Sequence, residues 1–454
     1  MKKFEIQSFL DYVEENGITK VRVAVCDMDG VLRGKYISVD KFLSAAEKGF
    51  GFCDVVFGWD SSDIAYDNVS VTGWHTGYPD AKAVIDVDTY REIPWADGTP
   101  FFLADFDARE STLKNVCPRS LLKKVARRAQ KMGFTPFFSQ EFEWFNFSET
   151  PQTFAEKGHR NPTPLTPGMF GYSVVRSSQN DEFFQSIFDD LKSFGIPLEG
   201  LHTETGPGVL EVAITYDRIL ESADRGVLFK TALKEIADMF SIMPTFMAKI
   251  SENLPGCSGH VHQSLWDEEA GTNLFYDKDA KDGISGLMQN YMAGQLHCLP
   301  HILPMFAPTV NSYKRLVEGA WAPTTITWGV DNRTTALRAL PVDAKACRLE
   351  TRVPGSDVNP YLAMAACLAS GLYGIKNSLK LQDATVGNGY LDLSNGRLPA
   401  DLWDATQNMK HSDIAKELFG EEFTAHFTAT REWEWKQFAK SVTDWEFKRY
   451  FEII

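Results

Sequence analysis

The stretch Phe137–Phe147 reads FFSQEFEWFNF. Its aromatic and polar residues alternate, which is typical of a half-buried β-strand. Glu141 and Glu143 are two residues apart, so on a strand both carboxylates point to the same face. Two adjacent carboxylates on a buried face lose hydration and repel each other, so a positive group should lie over them. Two solvated glutamates on a surface strand are the alternative, which this stretch alone leaves open.

Three further segments place ionisable side chains at alternate positions or on either side of a tight turn. Their residues are Glu204 with Glu211 around a Gly-Pro-Gly turn, His260 with His262, and Arg348 with Glu350 and Arg352. Arg315, Arg333 and Arg338 follow in a region punctuated by Gly and Pro. Independent surface ion pairs would not repeat this spacing in four segments, so we expect the four faces to converge on one site.

The converging side chains indicate the chemistry of the site. Five carboxylates and one imidazole carry a charge of about −5 at neutral pH, and two divalent ions bring it near −1. Ligand sets rich in carboxylates favour Mg²⁺ or Mn²⁺ over Zn²⁺. Arginines bind phosphate oxygens in bidentate fashion, so five of them beside two metal ions suit a triphosphate and phosphoryl transfer. The sequence lacks a Gly-x4-Gly-Lys-Ser/Thr loop, which excludes a P-loop enzyme.

Length and charge narrow the class of protein. The 454 residues suggest two or three domains, and a net charge of −15 argues against nucleic acid or an anionic membrane as a partner. The longest apolar run, Ala363–Ile375, is too short to span a membrane. Seven scattered cysteines without a Cys-x-x-Cys pair predict reduced thiols and a cytoplasmic location.

The N-terminal segment contains a motif with two interpretations. Val23–Leu32 reads VAVCDMDGVL and resembles the first motif of haloacid-dehalogenase-type phosphatases, in which Asp27 would be the nucleophile and Asp29 the general acid. That family requires a following βαβ pattern, whereas here a second strand follows the Asp29-Gly30 turn. The pattern therefore favours a hairpin, preceded by a helix over Phe4–Glu15.

Taken together, the motifs resemble the class I glutamine synthetase family over essentially the whole chain. Glu141-Phe142-Glu143 resembles the E-x-E of that family, and GCSGHVHQS (Gly256–Ser264) resembles its G-x-G-x-H-x-H-x-S. Further matches are NSYKRL, WGVDNRTTALR and the R-x-E-x-R-x-P…NPYL pattern of Arg348–Leu362. The resemblance implies an α+β chain with an N-terminal β-grasp domain (residues 1–115). A catalytic domain (residues 116–454) would follow, built on a curved antiparallel sheet funnel flanked by helices.

The resemblance also implies a reaction and an assembly. The γ-carboxylate of glutamate would attack ATP to give γ-glutamyl phosphate, and an amine would then displace phosphate. The implied assembly is a homo-oligomer, a dodecamer of two hexameric rings whose active sites are shared between neighbouring subunits. Two Mg²⁺ or Mn²⁺ ions per site and ATP as co-substrate complete the expected set of ligands.

Site residues follow from the matching motif positions. One metal would be held by Glu143, Glu204 and Glu211, and the other by Glu141, His260 and Glu350. ATP would be bound by His262, Ser264, Arg333, Arg338 and Arg348, and glutamate by Arg315, Arg352 and the backbone of Gly256. The residues expected to act in catalysis are Arg333, Arg338, Trp321 and Asp60.

Two departures from the family pattern lie where the nucleophile should enter. The family has a glutamate in its G-x-E-A-P flap, where this chain has Trp321, and its early D-G-S-S loop aligns with Trp59-Asp60-Ser61-Ser62. The Asp of that loop is either lost to Trp59 or shifted to Asp60. A Trp face can hold an alkylammonium by cation–π and apolar contact, whereas a small hydrated ammonium loses its partner.

This pattern is similar to the branch that joins glutamate to organic amines, so a glutamate–amine ligase is the first hypothesis. A glutamine synthetase using ammonia is the second, and a catalytically silent structural relative is the third. Pro255 and Val209 depart from the family motifs around the glutamate loop, which leaves the donor acid open. Cys257 and Cys347 flank motif residues, and we expect them to be small core cysteines.

Overall fold

Two β-sheets organise the computed structural model, which describes residues 4–106 and 112–454. The first sheet has five strands in the order β2-β1-β5-β4-β3. The elements of this part are helices α1 (Ile6–Glu15) and α2 (Val39–Lys48), and strands β1 (Lys20–Cys26), β2 (Leu32–Ser38), β3 (Phe50–Cys53), β4 (Asp80–Ile93) and β5 (Thr99–Phe106). The predicted N-terminal helix and the following hairpin are thus confirmed, and β1 also pairs with β5 in parallel.

The structure gives the phosphatase-like motif a structural role. Strands β1 and β2 pair antiparallel across it, with no crossover helix between them. The carboxylate of Asp27 accepts hydrogen bonds from the Asp29 and Val31 amides (3.0 and 2.9 Å) and from Arg33 Nε (2.9 Å). Burial, together with the charge of Asp29, raises the pKa of Asp27 to about 7. Asp29 in turn accepts a hydrogen bond from Arg431 Nη2 (2.6 Å). Asp27 therefore closes the turn, and Asp29 fastens the turn to Arg431 in a distant part of the chain.

The second sheet has nine strands and curls into a half-barrel. Its path runs β12-β13-β14-β11-β6-β8-β7, and β9 and β10 both pair with β6. Its strands are β6 (Phe134–Phe147), β7 (Leu198–Thr203), β8 (Val209–Ile214), β9 (Asp217–Arg218), β10 (Met243–Thr245), β11 (Val261–Asp267), β12 (Trp328–Val330), β13 (Leu337–Leu340) and β14 (Arg348–Thr351). The predicted antiparallel sheet is found, except that β12 and β13 pair in parallel.

Helices cover the second sheet and form most of the core. They are α3 (Pro118–Lys131), α4 (Pro151–Glu156), α5 (Val174–Gln179), α6 (Asp181–Ser193), α7 (Ile219–Met239), α8 (Gly286–Ile302), α9 (Ser312–Arg315), α10 (Pro360–Lys376), α11 (Leu402–Lys410), α12 (Asp413–Phe419), α13 (Glu421–Ala439) and α14 (Asp444–Tyr450). Nearly every residue of α10 is buried, because this helix packs against α3, α7 and α8. Within residues 4–106 and 112–454, no helix is long and apolar enough to cross a membrane.

Buried ion pairs join the two sheets. Arg119, in the first turn of α3, donates to both carboxylate oxygens of Asp224 on α7 (2.9 Å each). It also donates to Asp86 of β4 (2.8 Å), and Tyr361 of α10 donates to Asp224 (2.6 Å). Breaking one partner of such a buried network is costly, so these contacts hold the first sheet against the helical layer behind the second.

Candidate active site

Strand β6 places its two carboxylates by burying the residues that alternate with them. Phe142 and Trp144 are fully buried on the face of the sheet that α7 covers, and Phe142 stacks on Phe229 of that helix with centroids 5.7 Å apart. Glu141 and Glu143 therefore lie on the opposite face. A slip of one residue would bury both carboxylates in the apolar layer, so the packing fixes the register.

Glu143 belongs to a first group of ionisable side chains. It pairs with Glu211 on β8, and Glu211 pairs with His202 on β7. Ligand atoms of His202, Glu204 and Glu211 all lie within 4.8 Å of one another. Burial raises the pKa of Glu211 to about 9, with further increases from Glu143 and other carboxylates nearby. The predicted residues Glu143, Glu204 and Glu211 are thus brought together, and their mutual repulsion calls for a cation.

Glu141 belongs to a second group, together with Glu350 on β14 and the two histidines. Ligand atoms of Glu141, His262 and Glu350 lie within 4.8 Å of one another. His260 Nδ1 is 3.4 Å from Glu350 Oε1 and 3.6 Å from Glu141 Oε2, so both histidines approach the same carboxylates. Burial would raise the pKa of Glu350, but His260 and His262 lower it to about 2. Burial lowers the pKa of His260 to about 4, which keeps this imidazole neutral, as a metal ligand requires.

Two of the predicted arginines, Arg338 and Arg352, contact the second group. Arg338 Nη1 donates to Glu350 (2.8 Å), and its Nε and Nη2 donate to Asp331 (2.9 and 2.6 Å). Arg352 forms an ion pair with the other oxygen of Glu350 and donates from Nε to the carbonyl of Arg333 (3.1 Å). The side chain of Arg333 itself is exposed. Asp331 orients Arg338, and the sequence alone did not single it out.

A pocket of about 250 Å³ adjoins the second group and is lined by three of the residues predicted to bind ATP. His262, Ser264 and Arg348 form part of its wall, and Arg348 Nε donates to His262 Nδ1 (3.3 Å). Phe137 and Trp266 also line it, with ring centroids 5.6 Å apart. Aromatic walls beside a guanidinium suit the base and phosphates of a nucleotide.

The loop that carries Gly256 is packed too closely to admit a side chain. A Cβ at Gly256 would lie 2.7 Å from both the Ala248 carbonyl oxygen and Arg315 Cγ. Arg315 is almost fully buried, and its Nη atoms donate to the Val353 carbonyl (2.9 Å) and to Ser258 Oγ (2.9 Å). These hydrogen bonds brace the loop, and the role of Arg315 as a glutamate ligand stays a prediction.

Val209 and the loop cysteine lie in a small apolar cluster. Val209 and Cys257 are both buried, together with Phe145 and Phe147. The apolar side chain of Val209 therefore packs in the same cluster as the loop that carries Gly256 and Cys257. Burial raises the pKa of the Cys257 thiol well above its ordinary value, which suits a core cysteine. Cys347 is likewise buried.

The flap residue Trp321 is joined to the acidic strands through its backbone. Its carbonyl accepts a hydrogen bond from Arg352 Nη2 (3.5 Å), and Arg352 also pairs with Glu350. The Trp321 backbone is left-handed (φ 57°), and Gly319 in the preceding turn has φ 79°. The indole is 66% exposed. The flap thus presents a large aromatic face at the edge of the site.

Asp60 is not brought to these groups by its described contacts. Its Oδ1 accepts hydrogen bonds from the Ser62 and Ile64 amides (2.9 and 3.0 Å), and its Oδ2 accepts one from Trp433 Nε1 (3.0 Å). The carboxylate is buried and closes its own turn against helix α13. Within one subunit these hydrogen bonds give Asp60 a structural role, and its catalytic role stays a prediction.

Sequence reasoning left His202 out of the ligand sets, although the structure places it in the first group. Its spacing of two residues from Glu204 was the available signal, since residues two apart on extended chain point to the same side. Tyr172, which no motif indicated, stacks on the His202 ring with centroids 4.4 Å apart and an interplanar angle of 7°. Among the described residues, neither His202 Nε2 nor His260 Nε2 has a hydrogen-bond partner.

The donor chemistry of both groups fits hard divalent cations. Each group offers two carboxylates and at least one imidazole within a few ångströms. Carboxylate oxygens suit Mg²⁺ and Mn²⁺, and Mn²⁺ also accepts imidazole. The raised pKa of Glu211 and the unpartnered His202 Nε2 are features that a bound cation would relieve.

Comparisons with known proteins agree with this arrangement. The family model "Glutamine synthetase, catalytic domain" matches residues 115–450. The "Type-1 glutamine synthetase 2" of Dictyostelium discoideum is 53% identical over 96% of this chain and 84% of its own length. The "Glutamate--isopropylamine ligase" of a Pseudomonas species is 36% identical over 100% of this chain and 99% of its own.

A third relative and a solved structure extend the comparison. The "Gamma-glutamylethanolamide synthetase GlnA4" of Streptomyces coelicolor is 34% identical over 97% of this chain and 94% of its own. A solved structure of GmaS in complex with ADP superposes with a TM-score of 0.84 and 28% identity, covering 97% of this chain and 98% of that one. The chain therefore belongs to the glutamine synthetase family of ATP-dependent carbon–nitrogen ligases.

Proposed function

We propose that this protein joins the γ-carboxylate of glutamate to an organic amine at the expense of ATP. The observation that carries the proposal is Trp321, which stands in the flap where the family has a glutamate. Its indole is exposed and its backbone is tied to Arg352. Two relatives that match nearly the whole chain have names that specify isopropylamine and ethanolamide, which supports an organic acceptor.

The two acidic groups serve as the divalent metal sites in this proposal. One ion would be held by Glu143, Glu204 and Glu211, and the other by Glu141, His260 and Glu350. When bound, Mg²⁺ or Mn²⁺ neutralises phosphate charge and polarises the transferred phosphoryl group.

In this proposal ATP binds in the pocket described above. The pocket residues that contact ATP are His262, Ser264 and Arg348, and Arg333 and Arg338 lie toward the transferred phosphate. Arg338 is held by Asp331 and Glu350, so its guanidinium is oriented before the substrate arrives. Such preorganised cations stabilise the charge that develops on the phosphoryl oxygens.

The proposed reaction has two steps. A γ-carboxylate oxygen of glutamate attacks the γ-phosphorus of ATP, and ADP leaves. The nitrogen of the neutral amine then attacks the acyl carbon of γ-glutamyl phosphate. The bond between that carbon and the phosphate oxygen breaks, phosphate leaves with the electron pair, and the amine nitrogen gives a proton to the departing phosphate or to water. Arg315, Arg352 and the Gly256 backbone position glutamate in this proposal.

The chemistry of Trp321 favours an amine with an apolar portion. A cation over an indole face gains roughly 0.5–2 kcal/mol, equivalent to about 2- to 30-fold in affinity. An alkylamine also buries methylene groups against the ring, at about 0.8 kcal/mol each. Ammonium offers no methylene groups, and the flap gives it no carboxylate at position 321.

Glutamine synthesis from ammonia is the second candidate. The Dictyostelium relative, 53% identical to this chain, has a name that specifies a glutamine synthetase. If the Trp flap tolerates ammonia, the same two steps give glutamine, so the acceptor alone separates the two functions.

The test is ATP-dependent phosphate release with glutamate fixed and the acceptor varied. The acceptors are ammonium, methylamine, ethanolamine, isopropylamine, putrescine, spermidine and an aryl amine. We expect one organic amine to exceed ammonium by at least about tenfold in kcat/KM. W321E should lower that preference by restoring the family carboxylate, and W321F should keep most of it. Equal rates with ammonium and every amine would refute the proposal.

Three wider features are part of the proposal. The chain divides into residues 1–115 and 116–454, it acts in the cytoplasm, and it assembles as a dodecamer of two hexameric rings. Shared active sites would let another subunit supply a residue that a single chain keeps away from its own site. Analytical ultracentrifugation measures the assembly directly.

A further inference from the structure

We propose that His202 is a direct ligand of the metal ion in the first group, through Nε2, beside Glu204 and Glu211. This inference rests on the proposed function only in that a divalent cation occupies this group. It adds a ligand that the family motifs did not assign to either ion.

The distances suit a shared ion. His202 Nε2 lies 3.6 Å from Glu211 Oε2, which is too long for a hydrogen bond. Two donors on one octahedral ion of this size are about 3 Å apart when adjacent and about 4 Å apart when opposite. The three ligand atoms of the group, within 4.8 Å of one another, need only small rotamer adjustments to enclose an ion.

His202 Nε2 makes no hydrogen bond within the described part of the chain. His202 Nε2 is buried as an atom and lacks a hydrogen-bond partner among residues 4–106 and 112–454. A buried polar atom without a partner costs free energy, so such atoms are rare unless a ligand, an ion or water meets them. The neighbouring carboxylates of Glu204 and Glu211 make a cation the fitting partner.

Tyr172 holds the ring in the orientation that ligation needs. The two rings are stacked within 7° of parallel, which leaves the edge of the imidazole directed at Glu211. The backbone of Tyr172 is anchored, since its amide donates to the Thr203 carbonyl (2.6 Å). Tyr172 also adopts a left-handed conformation (φ 54°), which a non-glycine residue keeps only where its surroundings impose it.

Glu143 leaves room for a further ligand. Its Oε2 accepts a hydrogen bond from the Ser258 amide (2.8 Å), so one of its two oxygens is engaged in holding the loop that carries Gly256 and Ser258. The ion of the first group is then completed by donors from the β7–β8 hairpin, where His202 and Glu204 flank Thr203 and Glu211 faces them.

The experiment is pulsed electron paramagnetic resonance of Mn²⁺ bound to the full-length protein. In an H260Q/H262Q background, the two histidines of the second group cannot contribute. We expect ¹⁴N modulation from one imidazole, and its loss when H202Q is added. Exchange of histidine for the ¹⁵N form in the same H260Q/H262Q protein should change this signal, because the ligating nitrogen then belongs to a remaining histidine.

Affinity gives a second readout. H202Q should weaken Mn²⁺ binding to the first group by at least about tenfold, whereas Y172F keeps the stacking and should leave it nearly unchanged. H411Q, which replaces an exposed histidine at the end of α11, is the matched control. An H202Q loss of affinity without any ¹⁴N signal in the H260Q/H262Q background would assign His202 a purely structural role and overturn the inference.

The outcomes separate this inference from the proposed function. An ¹⁴N signal with no preference for organic amines supports His202 as a ligand and refutes the acceptor proposal. A clear organic-amine preference without the ¹⁴N signal refutes only the ligand assignment.

Discussion

Replacing Glu211 with glutamine should stabilise the metal-free protein while abolishing turnover. Burial and the surrounding carboxylates raise the pKa of Glu211 from its ordinary value of 4.5 to about 9. Only 17% of the side chain is exposed, so solvent screens little of this effect. Between pH 4.5 and 9 the folded protein keeps this carboxyl protonated, whereas the unfolded chain ionises it. The unfolded state is therefore increasingly favoured as the pH rises through this window.

The magnitude follows from the two pKa values. At 1.36 kcal/mol per pH unit, the wild-type carboxyl costs about 2 kcal/mol of folding free energy at pH 6, about 3 kcal/mol at pH 7 and about 5 kcal/mol at pH 8. Below pH 4.5 both states are protonated and the cost vanishes. A neutral glutamine of nearly the same shape avoids the cost, so the advantage of E211Q should grow by about 1.4 kcal/mol per pH unit.

The assay is urea unfolding of both proteins in EDTA at pH 6, 7 and 8, at one protein concentration. E252Q, which removes the same charge from an exposed position, should show no such pH-dependent gain. Saturating Mn²⁺ should stabilise the wild type more than E211Q, because the variant lacks a ligand. A difference between E211Q and wild type that does not change with pH, or E211Q destabilised at every pH, would refute the electrostatic reasoning. Full retained turnover would refute the site assignment.

Two other substitutions test the charge network in the opposite direction. E350Q should lower the free energy of unfolding by about 3 kcal/mol at pH 7, because the pKa of Glu350 is about 2 in the folded protein and 4.5 ordinarily. In urea titrations this deficit should shrink as the pH falls from 4.5 toward 2. D29N should cost about 3 kcal/mol, since it leaves the buried Arg431 guanidinium without its carboxylate. The D29N/R431M double variant should recover part of that loss in the same assay, and strictly additive losses would show that the pair does not interact.

The strands that carry the site could be predicted from local periodicity. Phe137–Phe147 is a strand with both glutamates on one face, as its alternation indicated, and the structure extends it to Phe134. The hairpin at Asp29-Gly30 could also be predicted, because an Asp-Gly pair between two alternating segments favours a turn. In the structure residues 27–31 connect the paired residues Cys26 and Leu32. These features depend on neighbours a few residues apart, which the sequence displays directly.

Hydrogen-bond partners that are distant in sequence could not be predicted in this way. The family motifs assigned Arg315 to glutamate but gave no sign that it donates to the Val353 carbonyl and to Ser258. Asp331 was passed over, although it holds two nitrogens of Arg338. A guanidinium can point to either side of its backbone, and only the packing around it decides which.

The sequence by itself determined the α+β class, the strand faces and the acidic and basic residue types of the site. The tertiary structure decided which of those side chains meet. It set His202 opposite Glu211 through the pairing of β7 with β8, and it joined Asp60 to Trp433, 373 residues along the chain. The physical reason is that alternation along a strand is a local property of the backbone. The choice of partner across strands and helices depends instead on how the whole core packs.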